Sequence, residues 1–87
     1  MTTVWIPPPL QGLTGGRGQV EAQGRTVRAL IDDLERQFPG LRERLCEEDR
    51  LRKGLAVSID GVVAPEGLRA TLQEDSEVHF LPAIAGG

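Results

Sequence analysis

Thr26-Val27-Arg28-Ala29-Leu30-Ile31-Asp32-Asp33-Leu34-Glu35-Arg36-Gln37-Phe38 is the stretch that decides the fold. Val27, Leu30, Ile31, Leu34 and Phe38 fall at i, i+3, i+4, i+7 and i+11, which lines them along one side of an α-helix. Thr26 stands at the N-cap position, where a hydroxyl oxygen can accept from the first free backbone N–H groups. Pro39-Gly40 ends the helix. Asp32 and Arg36, four apart on the outer side, are expected to pair. One helix with one apolar stripe covers one face of one sheet, so the flanking segments are expected to be the strands of that sheet and the class α+β.

Upstream, Val4-Trp5-Ile6 reads as a short strand with Val4 and Ile6 on one side and Trp5 on the other. Pro7-Pro8-Pro9 removes three backbone donors and must leave the sheet or sit at its edge. The glycines at 12, 15, 16 and 18 then form a loop leading into a second strand, Gln19-Val20-Glu21-Ala22. They lack the Gly-Lys-Ser/Thr ending of a phosphate loop and the strand-loop-helix order around it. Downstream, Leu41 to Leu45 fits one more helical turn with both leucines inward, and Glu47 to Lys53 is expected to be a solvated loop. Leu55, Val57 and Ile59 alternate with Ala56, Ser58 and Asp60 as a third strand, and Asp60-Gly61 is a two-residue hairpin signal leading to Val62-Val63. Pro65-Glu66-Gly67 turns the chain, and Leu68 and Leu72 are expected to cover one end of the sheet. After a turn at Glu74-Asp75-Ser76, the last strand places Val78, Phe80 and Pro82 on one face and Glu77, His79 and Leu81 on the other.

Eighty-seven residues allow one domain with a small core. With only Trp5, Phe38 and Phe80 as aromatics, that core rests on Leu, Val, Ile and Ala. The formal net charge of −3 argues against general nucleic-acid binding. No long apolar run or signal-peptide pattern is present, so a cytoplasmic protein without a membrane partner is expected. Cys46 is the single cysteine, which excludes an internal disulfide and a cysteine-rich metal site. Glu47-Glu48-Asp49 beside it are expected to raise its thiol pKa, favouring a structural role over a catalytic one. His79, the only histidine, gives little support to a metal site or a Ser-His-Asp arrangement and is expected at an exposed strand position.

The last strand runs into Pro82-Ala83-Ile84-Ala85-Gly86-Gly87, a segment with no charge and no side-chain nucleophile. Two glycines can pass a narrow channel because they carry no Cβ. The five residues from Ala83 reach about 17 Å when extended at about 3.3–3.6 Å each, enough to carry a terminal carboxylate into another protein. A carboxylate is a poor electrophile and needs activation, for which adenylation by ATP is the usual solution. Nothing in the chain looks able to perform it, so a separate enzyme is implied. The expected organisation is a domain over residues 1–82 and a flexible tail over 83–87. Leu81 is the candidate partner-contact residue, with His79 on the same side; Gly-Gly alone would also suit a frayed end.

Thr14-Gly15-Gly16, Ile59-Asp60-Gly61 and above all Glu77 through Gly87 resemble the MoaD/ThiS family of ubiquitin-like sulfur-carrier proteins. The tail is most similar to that of the carrier used in thiocarboxylate-dependent cysteine biosynthesis. The resemblance implies a β-grasp fold: a mixed sheet of four to five strands with one main helix across one face. It also implies that an E1-like adenylating enzyme uses ATP and Mg²⁺ on the C-terminal glycine, that a sulfur donor displaces AMP, and that a biosynthetic enzyme accepts the sulfur. That acceptor could serve cysteine, a secondary metabolite, molybdopterin or thiazole. Carried onto this chain, Gly87 reacts, and Gly86, with Ala85 and Ile84, threads the passage. The chain itself binds no cofactor or metal on this reading, is not an enzyme, and is most simply a monomer. Asp75 stands where many relatives have glycine, a position that Asp tolerates. The same activated carboxylate also suits a ubiquitin-like modifier joined to lysines through Gly87, and a β-grasp interaction module with an idle tail is the third reading.

Overall fold

The computed structural model describes residues 1–83. In chain order the strands are β1 (Thr2–Trp5), β2 (Gln19–Ala22), β3 (Cys46–Glu47), β4 (Arg50–Leu51), β5 (Leu55–Ile59), β6 (Val62–Val63) and β7 (Glu77–Pro82). The helices are α1 (Val27–Gln37) and α2 (Leu41–Leu45). Five strands form one mixed sheet in the order β2-β1-β7-β5-β6, with β7 parallel to β1 and antiparallel to β5. In register, Val20, Val4 and Val78 lie side by side, as do Phe80 and Val57. Strand alternation turns all five to the helix side.

Helix α1 covers that side as its spacing predicts. Val27, Leu30, Ile31 and Leu34 are at most 1% exposed, and Phe38 packs against the same cluster. The Ala29 N–H donates to Thr26 Oγ1 at 3.2 Å, a cap worth about 1 kcal/mol. Gly40, at φ 107°, takes the left-handed conformation that breaks the helix axis. Helix α2 follows, with Leu41 and Leu45 fully buried. Glu35 holds the junction: its carboxylate accepts from the Arg42 N–H at 2.9 Å and the Gly40 N–H at 3.1 Å. Those two bonds, Arg42 first, hold its carboxyl below the usual glutamate range.

Several expectations need correction. Ile6 lies just past β1, although its N–H still bonds the Gly18 carbonyl at 2.9 Å. The loop after it holds a 3-10 turn over Pro8–Thr14, which starts on prolines that donate nothing and is anchored by buried Thr14. Thr14 Oγ1 lies 2.7 Å from the Arg17 carbonyl. The segment from Glu47 to Lys53 is not an open loop: β3 and β4 pair across a turn in which Glu48 takes φ 58°. Leu51 anchors this hairpin against the core, a pull that no turn-forming glycine, asparagine or proline advertises. Asp32 does not pair with Arg36. It pairs with Arg42, brought close by the turn into α2, while Arg36 pairs with Asp33. Asp60-Gly61 behaves as expected, at φ 51° and 87°, and so does Asp75, at φ 62°.

Asp33 is buried at 8% exposure and satisfied. It accepts from the Gln23 N–H and from Gln37 Nε2, both at 3.0 Å, and pairs with Arg36. The Gln23 bond is the main reason its carboxyl sits below the ordinary aspartate value; burial opposes this, and Arg36 and Gln37 reinforce it. Because the folded value is depressed, the carboxylate's stabilisation is complete above the unfolded value, about 3.9, and is lost as pH falls through the folded one. Asp33→Asn is therefore expected to cost about 1.5 kcal/mol at pH 7 and progressively less in acid. Urea titrations at neutral and acid pH check this; an equal deficit at both would refute it.

Candidate functional site

Helix α1 covers one face of the sheet, and among the described residues no helix covers the opposite face. Period-two alternation sends Trp5, His79, Ser58 and Val63 to that outer face, in one row across β1, β7, β5 and β6. Leu81 and Ala56 form the next row, towards the end of β7. Trp5 and Val63 are 37% and 57% exposed, Leu81 and Ala56 half-buried, and Ser58 buried. The result is a largely apolar surface leading to the root of the tail. Strand β7 continues through Pro82, and the Ala83 N–H donates to the Gly54 carbonyl at 2.8 Å. Ile84, Ala85, Gly86 and Gly87 lie outside the described residues.

His79 is not the open strand position expected of it. It is half-buried, and its ring stacks on Trp5 with centroids 5.1 Å apart and planes 9° from parallel. The parallel pairing of β1 with β7 sets these two residues side by side, and a stacked pair adds about 0.5–1.5 kcal/mol beyond area burial. The structure brings His79 and Leu81 onto one face, as the alternation predicts. It adds Trp5, Ala56 and Val63, which inspection of single strands did not select. Exposed apolar residues in three separate segments become one surface only when strand order is known, although Trp5 opposite the inward Val4 was a usable signal.

Cys46 is half-buried in a small cleft beside Arg28, Arg42, Asp32 and Asp49. Its thiol pKa is raised, but the cause differs from the one expected. Burial leads, the Arg42 and Arg28 guanidinium groups oppose it, and Asp32 adds to it. Glu47, Glu48 and Asp49 are not among the causes, although Asp49 lines the same cleft, where it pairs with Arg28. A raised pKa disfavours the reactive thiolate. Among the described residues no group of three or more His, Cys, Asp or Glu is placed to hold a metal ion. No helix among them is long and apolar enough to cross a membrane.

A mixed sheet with a β1–β2 hairpin, a single long crossing helix and a central β7 parallel to β1 defines a ubiquitin-like β-grasp protein. The comparisons narrow the class. The family model described as the ThiS family matches residues 4–87. The sulfur carrier protein CysO of Mycobacterium tuberculosis is 37% identical over 90 residues, spanning 98% of this chain and 97% of the relative. The molybdopterin synthase sulfur carrier subunit of the same organism is 33% identical over 72 residues, spanning 82% and 76%. In the crystal structure of the Amycolatopsis orientalis BexX/CysO complex, a chain 37% identical superposes with a TM-score of 0.91, with 100% of both chains covered. The chain belongs to the ThiS family.

Proposed function

We propose that this sulfur-carrier protein holds its sulfur as a thiocarboxylate on Gly87. An E1-like enzyme brings ATP and Mg²⁺; a carboxylate oxygen of Gly87 attacks the α-phosphorus, and pyrophosphate leaves. Sulfide from a donor then attacks the acyl carbon, and AMP leaves. A biosynthetic enzyme takes the sulfur, and hydrolysis returns the carboxylate. The chain contributes the reacting terminus and the docking surface, while the nucleotide and metal belong to the partner. The observation that carries this reading is the family match running through Gly87, beyond a strand that sets His79 and Leu81 on the open face of the sheet. The likeness to CysO favours a cysteine-forming acceptor, and the complex of its relative with BexX supports a partner protein here too.

Intact mass measured before and after incubation with ATP, sulfide and the cell's adenylating enzyme tests the proposal. Exchange of one oxygen for sulfur, mapped to Gly87, is expected. An unchanged mass with an active enzyme, together with lysine adducts in the lysate, would replace the carrier by a protein modifier.

The outer face makes its own prediction. Leu81→Asp puts a charge in the row beside Ala56 and is expected to weaken the adenylating enzyme's binding at least tenfold, about 1.4 kcal/mol. Because Leu81 is only half-buried, the stability cost is expected to stay near 1 kcal/mol. Calorimetric titration against thermal melting separates the two; unchanged affinity would remove Leu81 from the contact surface.

A further inference from the structure

Two loops end beside the root of the tail. Because β7 is parallel to β1 and antiparallel to β5, its C-terminal end lies between the end of β1 and the start of β5. The first loop runs from Ile6 to Gly18 and is closed by the bond between those two residues. Its single charged residue is Arg17. The second, Arg52-Lys53-Gly54, accepts the Ala83 N–H through Gly54. Neither loop contains a carboxylate. Arg52 is paired with Glu47 at 3.6 Å. Arg17 and Lys53 are exposed, and among the described residues neither takes part in a salt bridge. At the other end of β7 acidic residues predominate: Asp60, Glu74, Asp75 and Glu77 are all exposed there, against the Met1 ammonium group, which pairs with Asp75 at 3.7 Å, and Arg25. In a chain of net charge −3, cations at the tail end are a segregation and not a reflection of general basicity.

We infer that Arg17 and Lys53 form a cationic rim that docks on acidic side chains around the mouth of the adenylating enzyme's channel. The inference deepens the sulfur-carrier reading and rests on it. An acidic mouth by itself would repel the anionic end of the tail; the rim offsets that repulsion and turns the acidic pole away from the partner. Exposed rim charges act mainly on the rate and orientation of encounter, and salt screens them. The apolar outer face supplies contact area, and the rim sets which end of the molecule arrives first.

The test follows pyrophosphate release by the adenylating enzyme with the chain as varied substrate, at ionic strengths from about 0.01 M to about 0.15 M, over which the Debye length falls from about 30 Å to about 8 Å. For the wild-type chain, kcat/KM is expected to fall as salt rises. The double variant Arg17→Glu, Lys53→Glu is expected to start about tenfold lower at low salt and to rise as salt screens the new repulsion, with kcat unchanged. Arg17→Lys, which keeps the charge, is expected to match wild type. Thermal melting of each variant guards against unfolding. Wild-type loading that ignores both salt and charge reversal would overturn the rim and leave the carrier reading standing. So would a loss confined to kcat. A wild-type chain that an active enzyme never adenylates would overturn both.

Discussion

Gly86→Val is expected to reduce sulfur loading of Gly87 at least a hundredfold and to shift Tm by no more than about 1 °C. The argument is steric. A terminus that must enter a partner's site passes a channel sized for backbone, and Val adds a stiff β-branched side chain one residue from the reacting carbon. A displacement of about 1 Å at a reacting atom is enough to cost roughly 10²-fold in rate. The buried cluster that holds the fold is already complete within the described residues, from Val4 to Phe80. Pyrophosphate release and intact mass report activation and sulfur exchange separately. Both are expected to fail in this variant, because the block precedes the chemistry. Normal loading would remove the channel argument, whatever the partner proves to be.

Gly24→Ala is expected to be the most damaging single methyl addition among the described glycines, at about 3 kcal/mol. A Cβ at Gly24 would stand 2.4 Å from the Leu30 nitrogen and 2.8 Å from the Ala29 carbonyl carbon, both backbone atoms of α1. No side chain can rotate away, so the connection between β2 and α1 must shift off the helix. Overpacking of a rigid contact costs about 1–3 kcal/mol, and this contact lies at the upper end. In a domain of this size that is a fall of more than about 10 °C in Tm. Gly12→Ala is the matched control, since nothing lies within 4 Å of its Cβ position. Equal melting temperatures for the two variants would show that the connection yields where its packing says it cannot.

Much of the molecule was legible along the chain. The stripe from Val27 to Phe38, the Thr26 cap, the Pro39-Gly40 stop and the Asp60-Gly61 turn are local signals, decided by neighbours within a few residues, and each appears where the residues put it. What escaped was non-local or carried by too few residues. The hairpin β3–β4 has two residues per strand and rests on Leu51 reaching the core. The Asp32 ion pair depends on a turn that brings Arg42 back, and the main hydrogen bond of buried Asp33 comes from the Gln23 N–H beyond the helix. Spacing on a single helix contains neither.

By itself the sequence determined the class, because one apolar stripe permits one covered face, and it contains the Gly86-Gly87 pair on which the carrier proposal rests. Only the tertiary structure decided the rest. The parallel pairing of β1 with β7, between residues more than seventy positions apart, stacks Trp5 on His79 and sets Leu81 in the same surface. The same arrangement puts Arg17 and Lys53 at one end of the tail strand and Asp60, Glu74, Asp75 and Glu77 at the other. Alternation says which residues share a side of one strand; strand order, which is fixed by packing over the whole chain, says which strands share a surface.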